Sequence, residues 1–208
     1  MNYEILWAFA LATASLAIFP GPDNIYVLTQ SIVHGKKYGL ATTAGLISGC
    51  LVHTTLLAFG VSAIISLNPM LFYTIKLFGA MYLFYLAFKV WRAAADLRID
   101  LNKSPKKSLG QLYRQGFIMN VLNPKVTIFF LAFFPGFLFS AFISTTLQFY
   151  ILGLLFMLIS FTIFSLIAVL AGSISGYLQR HPKAPWVLKW LQILVFSGIG
   201  LYLLLSYK

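Results

Sequence analysis

The sequence contains few acidic residues and a single cysteine. Its 208 residues include four Asp and Glu side chains, three histidines and one cysteine, Cys50. One cysteine can form neither a disulfide within the chain nor the CxxC pair of a thiol-redox protein, so we predict that Cys50 is a small packing residue. Because the histidines are scattered along the chain, they do not make a metal site. We therefore predict a protein without a metal or another cofactor.

Charged residues of both signs are also scarce. They make up 9% of the chain, whereas 60% of it is hydrophobic. A soluble domain has typically about 25% charged and about 45–50% apolar residues. A chain with so few polar groups cannot cover its surface in water. We predict an all-α, multi-pass integral membrane protein that has the lipid bilayer as its surroundings.

Six apolar stretches are long enough to cross a bilayer, which takes about 20 residues in a helix. The first begins after Glu4 without a preceding Lys or Arg. A cleaved signal peptide starts with a basic region, so we expect this stretch to be a retained span. The six predicted spans cover about 4–33, 39–66, 70–93, 112–139, 145–174 and 186–206.

The net charge of +11 is unevenly distributed over the loops. Twelve of the 15 Lys and Arg residues lie in or beside loops 1, 3 and 5, whereas loops 2 and 4 carry none. This distribution orients membrane proteins with their basic loops in the cytoplasm, so we place both termini outside and expect no nucleic acid partner. The basic residues are Lys36, Lys37, Lys89, Arg92, Arg98, Lys103, Lys106, Lys107, Arg114, Arg180, Lys183 and Lys189.

The six spans divide into two halves around loop 3. We predict one transmembrane domain, residues 1–208, built as a 3+3 inverted repeat. Repeat 1 covers about 1–94, a cytoplasmic loop about 95–111, and repeat 2 about 112–208. Since each repeat has an odd number of spans, the two halves enter the membrane in opposite orientations. A proline interrupts the first span of each half, and interrupted spans at matching places point to the binding site of a secondary transporter.

The first interruption reads FPGPDN, from Phe19 to Asn24. Gly21 can take the unusual backbone angles that a break requires, and Pro22 suits the first position of a restarted helix. The new helix exposes its unpaired N–H groups and its positive dipole end inside the protein. Asp23 partly balances that end, and Asn24 adds a donor and an acceptor.

The second interruption is Asn123-Pro124-Lys125, where Asn123 suits the N-cap and Pro124 the first helical position. Two half-helix N-termini near the midplane form an anion site that fits an amino-acid carboxylate. Asp23, the one acidic residue inside a span, then binds the ammonium group or a coupling proton; its alternative role is to start the helix. Lys125 neutralises Asp23 or binds the carboxylate, or forms a structural ion pair.

Span 2 carries a stripe of small residues and a histidine. Ala41, Gly45 and Gly49 recur every four residues, which predicts close contact with another helix. A second stripe lies at 172–176, and such stripes allow a homodimer. His53 lies one turn after Gly49, as either a satisfied buried group or a proton relay.

Four segments together resemble the lysine exporter (LysE/RhtB) family of bacterial inner-membrane amino-acid exporters. They are PGPDN at 20–24, GLISG at 45–49, KxxGAxYLxYLA at 76–87 and GFxxNxxNPK at 116–125. The resemblance covers essentially the whole chain, and the two polar motifs fall on the two interruptions, with Asn120 in the last segment. It implies an antiporter that exports amino acids or close derivatives, driven by the proton gradient. The motifs are general to the family, so the particular amino acid does not follow.

The leading hypothesis is thus a secondary transporter that works by alternating access. The sequence has no P-loop for ATP hydrolysis and no nucleophile–base set or paired carboxylates, so we expect no enzyme. Two alternatives remain open. An uptake carrier would use the same site, because sequence indicates the site better than the direction of flux. A channel subunit or an intramembrane enzyme would be a non-transporter.

Overall fold

A computed structural model of the chain describes five segments and is helical in every element of them. The described residues are 3–19, 21–63, 69–93, 107–181 and 183–205, without the side chains at 69, 71, 72, 75, 76, 124, 125 and 179.

The first half of the chain contains four helices. Helix α1 covers Tyr3–Ile18 and α2 covers Pro22–His34. Helix α3, Lys36–Leu56, continues through a π-helical turn at Leu57–Val61. Helix α4 covers Pro69–Arg92, and its 24 residues give it a length of about 36 Å.

The second half contains five helices. Helix α5 covers Leu109–Val121 and begins with a capping box between Ser108 and Gln111. Helix α6, Pro124–Phe133, ends in a short 3-10 turn. The remaining helices are α7 at Thr145–Val169, α8 at Ala171–Arg180 and α9 at Ala184–Leu205.

Both predicted interruptions break their helices. Helices α1 and α2 meet at an angle of 56°, and α5 meets the helical segment Val126–Phe137 at 54°. The expected role of Gly21 is wrong: its φ of −127° and ψ of 177° are extended values that any residue adopts. The first break therefore depends on the proline at the start of α2, because the missing N–H of Pro22 costs nothing at a first helical position.

Three helices of the described residues are long and apolar enough to cross a membrane. They are α3 with its π turn, α7 and α9. If each of the two bent helix pairs is counted as one further span, the described residues contain up to five spans. Among the predicted spans, the third corresponds to α4. The structure is thus all-helical over its described residues and has the composition of an integral membrane protein.

The small-residue stripe of span 2 makes the most extensive helix contact, between α3 and α5. A Cβ atom added at Gly45 would meet the backbone of Tyr113, and one at Gly116 would meet the backbone of Thr42. The helices approach this closely because neither glycine has a side chain. The predicted close contact is confirmed, and it lies within one chain.

A cluster of phenylalanines joins the first helix of one half to the broken helix of the other. Phe9 of α1 lies 5.1 Å from the ring of Phe133 and 5.2 Å from that of Phe134. Phe130 and Phe134 stack at 4.3 Å. These four rings are buried almost completely. They fix α6 against α1, and so hold the second break at a defined place relative to the first span.

Candidate substrate-binding site

One cavity of about 130 Å³ lies between the two breaks. A buried water needs roughly 10–15 Å³, so the cavity has room for a small polar solute. It is lined by residues of the first break, of the second break and of the long helices around them. Most of its wall is apolar, with a few polar groups that converge on it, which is the usual composition of a small-molecule site.

The first break contributes Gly21, Pro22, Asp23 and Asn24 to this cavity. Asn24 is 8% exposed, and its side-chain nitrogen donates a hydrogen bond of 2.7 Å to the carbonyl oxygen of Ala17. That carbonyl belongs to the last turn of α1, where the helix offers it no N–H partner. Asn24 therefore joins the end of α1 to the beginning of α2, while Asp23 beside it is partly buried at the cavity wall.

The second break contributes Asn120 and Asn123. Asn123 precedes the first residue of α6, and its carbonyl accepts from the N–H groups of Val126 at 3.0 Å and Thr127 at 3.2 Å. Asn120 is 5% exposed, and its side-chain oxygen has no hydrogen-bond partner. A buried oxygen without a donor is costly, and Asn120 is one of the residues that line the cavity.

His53 supports the second break from α3 and does not line the cavity. Its Nε2 lies 3.1 Å from the backbone carbonyl of Asn120, at the end of α5. A carbonyl oxygen can only accept, so Nε2 carries the hydrogen. Nδ1 lies 3.5 Å from the hydroxyl of Thr127, in α6. The imidazole thus bridges the two halves of the broken helix as a buried, hydrogen-bonded group, and its role as a proton relay stays a prediction.

Two predicted site residues, Pro124 and Lys125, begin α6, but their side chains lie outside the described part of the molecule. The pairing of Lys125 with Asp23 or with a carboxylate stays a prediction. The other predicted lining residues, from Gly21 to Asn24 together with Asn120 and Asn123, are brought to one cavity from two distant parts of the chain.

Sequence reasoning missed the polar residues that the long helices add. Ser160 of α7 and Gln192 of α9 line the cavity and are 3% and 6% exposed. Phe156 and Phe164 flank Ser160 at intervals of four residues, so they lie on the same face of α7. A polar residue within an otherwise apolar span is the signal that could have found both of them.

Comparison with known proteins identifies the family of the chain. Residues 14–207 match the family model described as LysE type translocator. The chain belongs to this family. The translocator is 32% identical over 184 residues to the homoserine/homoserine lactone efflux protein of Salmonella typhimurium, covering 88% of this chain and 87% of that one. The predicted resemblance is thereby confirmed.

Two further relatives have a similar extent. The translocator is 26% identical over 200 residues to the leucine efflux protein of Salmonella choleraesuis, covering 96% of this chain and 93% of the relative. It is 26% identical over 181 residues to an uncharacterized membrane protein of Pseudomonas aeruginosa, covering 85% and 84%. No solved structure matches. A family of translocators agrees with the expectation that the chain is not an enzyme.

The lining residues of this cavity include groups that attract either sign of charge. The starts of α2 and α6 both lie at the cavity, and the first N–H groups of a helix attract anions. Asp23 is the acidic residue among the described lining residues, and a carboxylate attracts an ammonium group. Opposite charges on one small solute would thus meet separate groups within one cavity.

Proposed function

We propose that this translocator exports amino acids or close derivatives across the bacterial inner membrane. The observation that carries the proposal is the cavity that residues of both broken helices line, with Asn120 and its unpartnered side-chain oxygen among the lining residues. Broken backbone is tolerated at membrane depth where it lines a cavity or is buried in protein. The efflux proteins among its relatives support the direction of transport.

In this proposal the substrate carboxylate binds at the starts of α2 and α6, and its ammonium group binds Asp23. Gly21 and Pro22 shape the first of these helix starts, and Asn123 with Pro124 the second. Lys125 adds a positive charge beside the carboxylate. Asn24 and His53 hold the ends of the broken helices in place, through the bond to Ala17 and the imidazole bridge, and Asn120 offers its side-chain oxygen to the substrate.

The transport cycle is alternating access in a six-span, 3+3 inverted repeat with one transmembrane domain. Similar bends of 56° and 54° at the first span of each half support this arrangement. In such folds the halves rock around a site formed by the discontinuous helices. Locking the halves together with a cross-link between them should stop transport but leave substrate binding intact, which equilibrium binding of a radiolabelled substrate measures.

Coupling to the proton gradient is assigned to Asp23, so the translocator is a proton antiporter. The carboxylate takes the proton from one side when the ammonium group has left, and releases it on the other side. Purified protein in proteoliposomes tests this step. An imposed pH gradient should drive concentrative amino-acid transport, and a protonophore should abolish it; unchanged transport with the protonophore would contradict the coupling.

The basic loops 1, 3 and 5 face the cytoplasm in this proposal, and both termini face outward. A contact between Lys189, beside loop 5, and Ala93, beside loop 3, supports a shared side for these two loops. The Lys189 ammonium group donates a hydrogen bond of 2.6 Å to the Ala93 carbonyl oxygen. Alkaline phosphatase, which is active only outside the cytoplasm, should be active when fused to the C-terminus. A cytoplasm-dependent fluorescent fusion should be dark.

A homodimer is a separate part of the proposal. The stripe on α3 is occupied by α5, whereas added Cβ atoms at Gly172 and Gly176 meet nothing within 4 Å. That open face of α8 is where a second copy would fit. Light scattering in detergent measures the mass of the complex, and a monomer at all protein concentrations would contradict the homodimer.

One experiment tests the main proposal and the direction of flux together. Cells that overexpress the protein are loaded with dipeptides, and the released amino acids are measured outside over time. We expect at least one amino acid to leave faster than from cells with Asp23→Asn at the same membrane level. Faster accumulation inside the cells would favour the uptake carrier, and no difference for any amino acid would reject the transport function.

A further inference from the structure

We propose that the cavity selects amino acids with an uncharged side chain that forms hydrogen bonds, and that Ser160 and Gln192 make hydrogen bonds with this side chain. The inference rests on the proposed export function and names its substrate class. Neither residue belongs to the two breaks, so their contribution is distinct from the recognition of the carboxylate and the ammonium group.

The hydroxyl of Ser160 differs from most hydroxyls in these helices. Eight serine and threonine side chains in the described helices donate to the carbonyl oxygen four residues earlier, at 2.8–3.0 Å. Ser160 is 3% exposed and has no such partner. Thr13, Thr43 and Ser165 also have unpartnered hydroxyls, but Ser160 is the one of these that lines the cavity.

Gln192 adds a second neutral polar group from another helix. Its side chain is 6% exposed and lines the same cavity, one turn before Phe196 on α9. An amide offers both donors and an acceptor, so with Ser160 it can bond a hydroxyl, an amide or a lactone oxygen. Both groups line one cavity from separate helices, so a ligand in it has a neutral polar partner on each.

Apart from Ser160, Gln192, Asp23 and the asparagines of the two breaks, the described residues that line this cavity are apolar. Phe129, Phe156, Phe164 and Phe196 line it, and no lysine, arginine or histidine does so among the described residues. The one described carboxylate at the cavity is Asp23, which the ammonium group of the substrate occupies. A second positive charge would then have no counter-ion among the described lining residues, and a second negative charge would approach Asp23 while Lys125 is paired with the substrate carboxylate. Both basic and acidic side chains are therefore disfavoured.

Phenylalanine faces also attract cations. The competing hypothesis is therefore that the cavity selects amino acids with a basic side chain. If the four rings bind a side-chain cation, lysine and arginine will be the preferred substrates. If Ser160 and Gln192 dominate, an uncharged polar side chain will be preferred over an apolar one of the same size. A ligand hydroxyl would give the buried Ser160 hydroxyl the partner that it lacks, whereas a cation would also need a counter-ion in this wall, and this favours the polar side chain.

The test uses two amino acids of nearly equal size and the intact protein in proteoliposomes. Homoserine ends in a hydroxyl where norvaline ends in a methyl group. We expect kcat/KM for homoserine to exceed that for norvaline by about tenfold, the effect of one neutral hydrogen bond. Ser160→Ala should bring the two values within about twofold of each other by raising norvaline or lowering homoserine, and Gln192→Leu should act in the same direction.

Thr162→Ala is the matched control, because Thr162 lies on the same helix, is exposed, and donates to Leu158 at 2.9 Å. It should keep the tenfold preference. Equal transport of the two amino acids by the wild type, an unchanged preference in both cavity variants, or preferred transport of lysine or arginine would each overturn the inference while the export function stands. Failure of the wild type to transport any amino acid would instead reject the export function.

Discussion

The side-chain amide of Asn24 donates a hydrogen bond of 2.7 Å to the carbonyl oxygen of Ala17 across the first break. The second break has a counterpart, in which the imidazole of His53 contacts the carbonyl oxygen of Asn120 at 3.1 Å. In both cases a buried side chain contacts a carbonyl at the end of a half-helix, and at the second break it adds to the N–H of Asn123, which donates to the same carbonyl at 3.1 Å. The two breaks are therefore stabilised by the same kind of contact, although different residues make it.

Replacing Asn24 by leucine should destabilise the protein. The Ala17 carbonyl would remain buried without a donor, at a cost of about 1–3 kcal/mol, while the size of the side chain stays nearly the same. The midpoint of thermal unfolding in detergent should fall accordingly. Thr162→Val, which alters an exposed hydroxyl elsewhere, is the control. An unchanged midpoint for Asn24→Leu would show that the bond to Ala17 contributes nothing to stability.

Asp23→Asn should leave the protein folded and inserted but lower export by at least about tenfold. The amide keeps the shape of the side chain but cannot bind an ammonium group by charge or carry the coupling proton. Export from dipeptide-loaded cells gives the rate, and a western blot of membranes normalises it. Asp23→Glu keeps the charge and should retain part of the activity. If Asp23→Asn exports at the wild-type rate, Asp23 binds neither the substrate nor the coupling proton, and its remaining role is to start α2.

His53 should act on stability rather than on proton transfer. His53→Leu removes one of the donors to the Asn120 carbonyl, which keeps the N–H of Asn123, and should lower stability by about 0.5–1.5 kcal/mol. His53→Gln keeps a donor at the end of the side chain and should recover part of that loss. The dependence of export on pH separates the two roles: we expect His53→Gln to keep the wild-type profile. A profile that shifts or flattens in this variant would support the proton relay.

Gly49 should not tolerate a larger residue. A Cβ atom there would lie 2.7 Å from the side-chain oxygen of Asn120 and 2.8 Å from its Cβ. Gly49→Ala should therefore cost about 1–3 kcal/mol and reduce export, because it displaces a residue of the cavity. Gly198→Ala in α9 has open space and should be neutral or stabilising by up to about 1 kcal/mol. Equal melting midpoints for the two variants would contradict the contact.

Gln192→Glu should change the substrate class. A carboxylate in the otherwise uncharged wall would supply the counter-ion that a basic side chain lacks, and attraction between close opposite charges is strong in such surroundings. We expect competition by lysine for homoserine transport to rise at least about tenfold. Gln192→Leu, which adds no charge, should show no such rise. Loss of transport for every amino acid, with the protein still folded by circular dichroism, would place Gln192 in a general binding role instead.

Much of the architecture follows from local chemistry along the chain. The apolar stretches predict the spans because a helix of about 20 such residues matches the bilayer. The positions of Pro22 and Pro124 predict both breaks, because proline cannot continue a helix but can start one. The backbone conformation of Gly21 could not be predicted from the sequence. Its backbone is extended, and the chain turns by 56° between the two helices without the left-handed backbone angles that favour glycine.

The candidate site was predictable in part. The residues of the two breaks are recognisable in the sequence as polar clusters in apolar surroundings. The cavity is lined by Asp23, Asn24, Asn120 and Asn123. Ser160 and Gln192 carry a weaker signal, because single polar residues in a span serve packing as often as binding. Whether they reach the cavity depends on the rotation of α7 and α9 about their axes.

The sequence by itself determined that this chain is an apolar, helical membrane protein with two proline-broken spans, because span length and helix interruption depend on neighbouring residues alone. Only the tertiary structure decided that both breaks line one cavity, that His53 bridges the second break, and that the stripe at Gly45 and Gly49 packs within the chain. These relationships join residues about 70 or more positions apart, and their geometry follows from how helices with several apolar faces pack together.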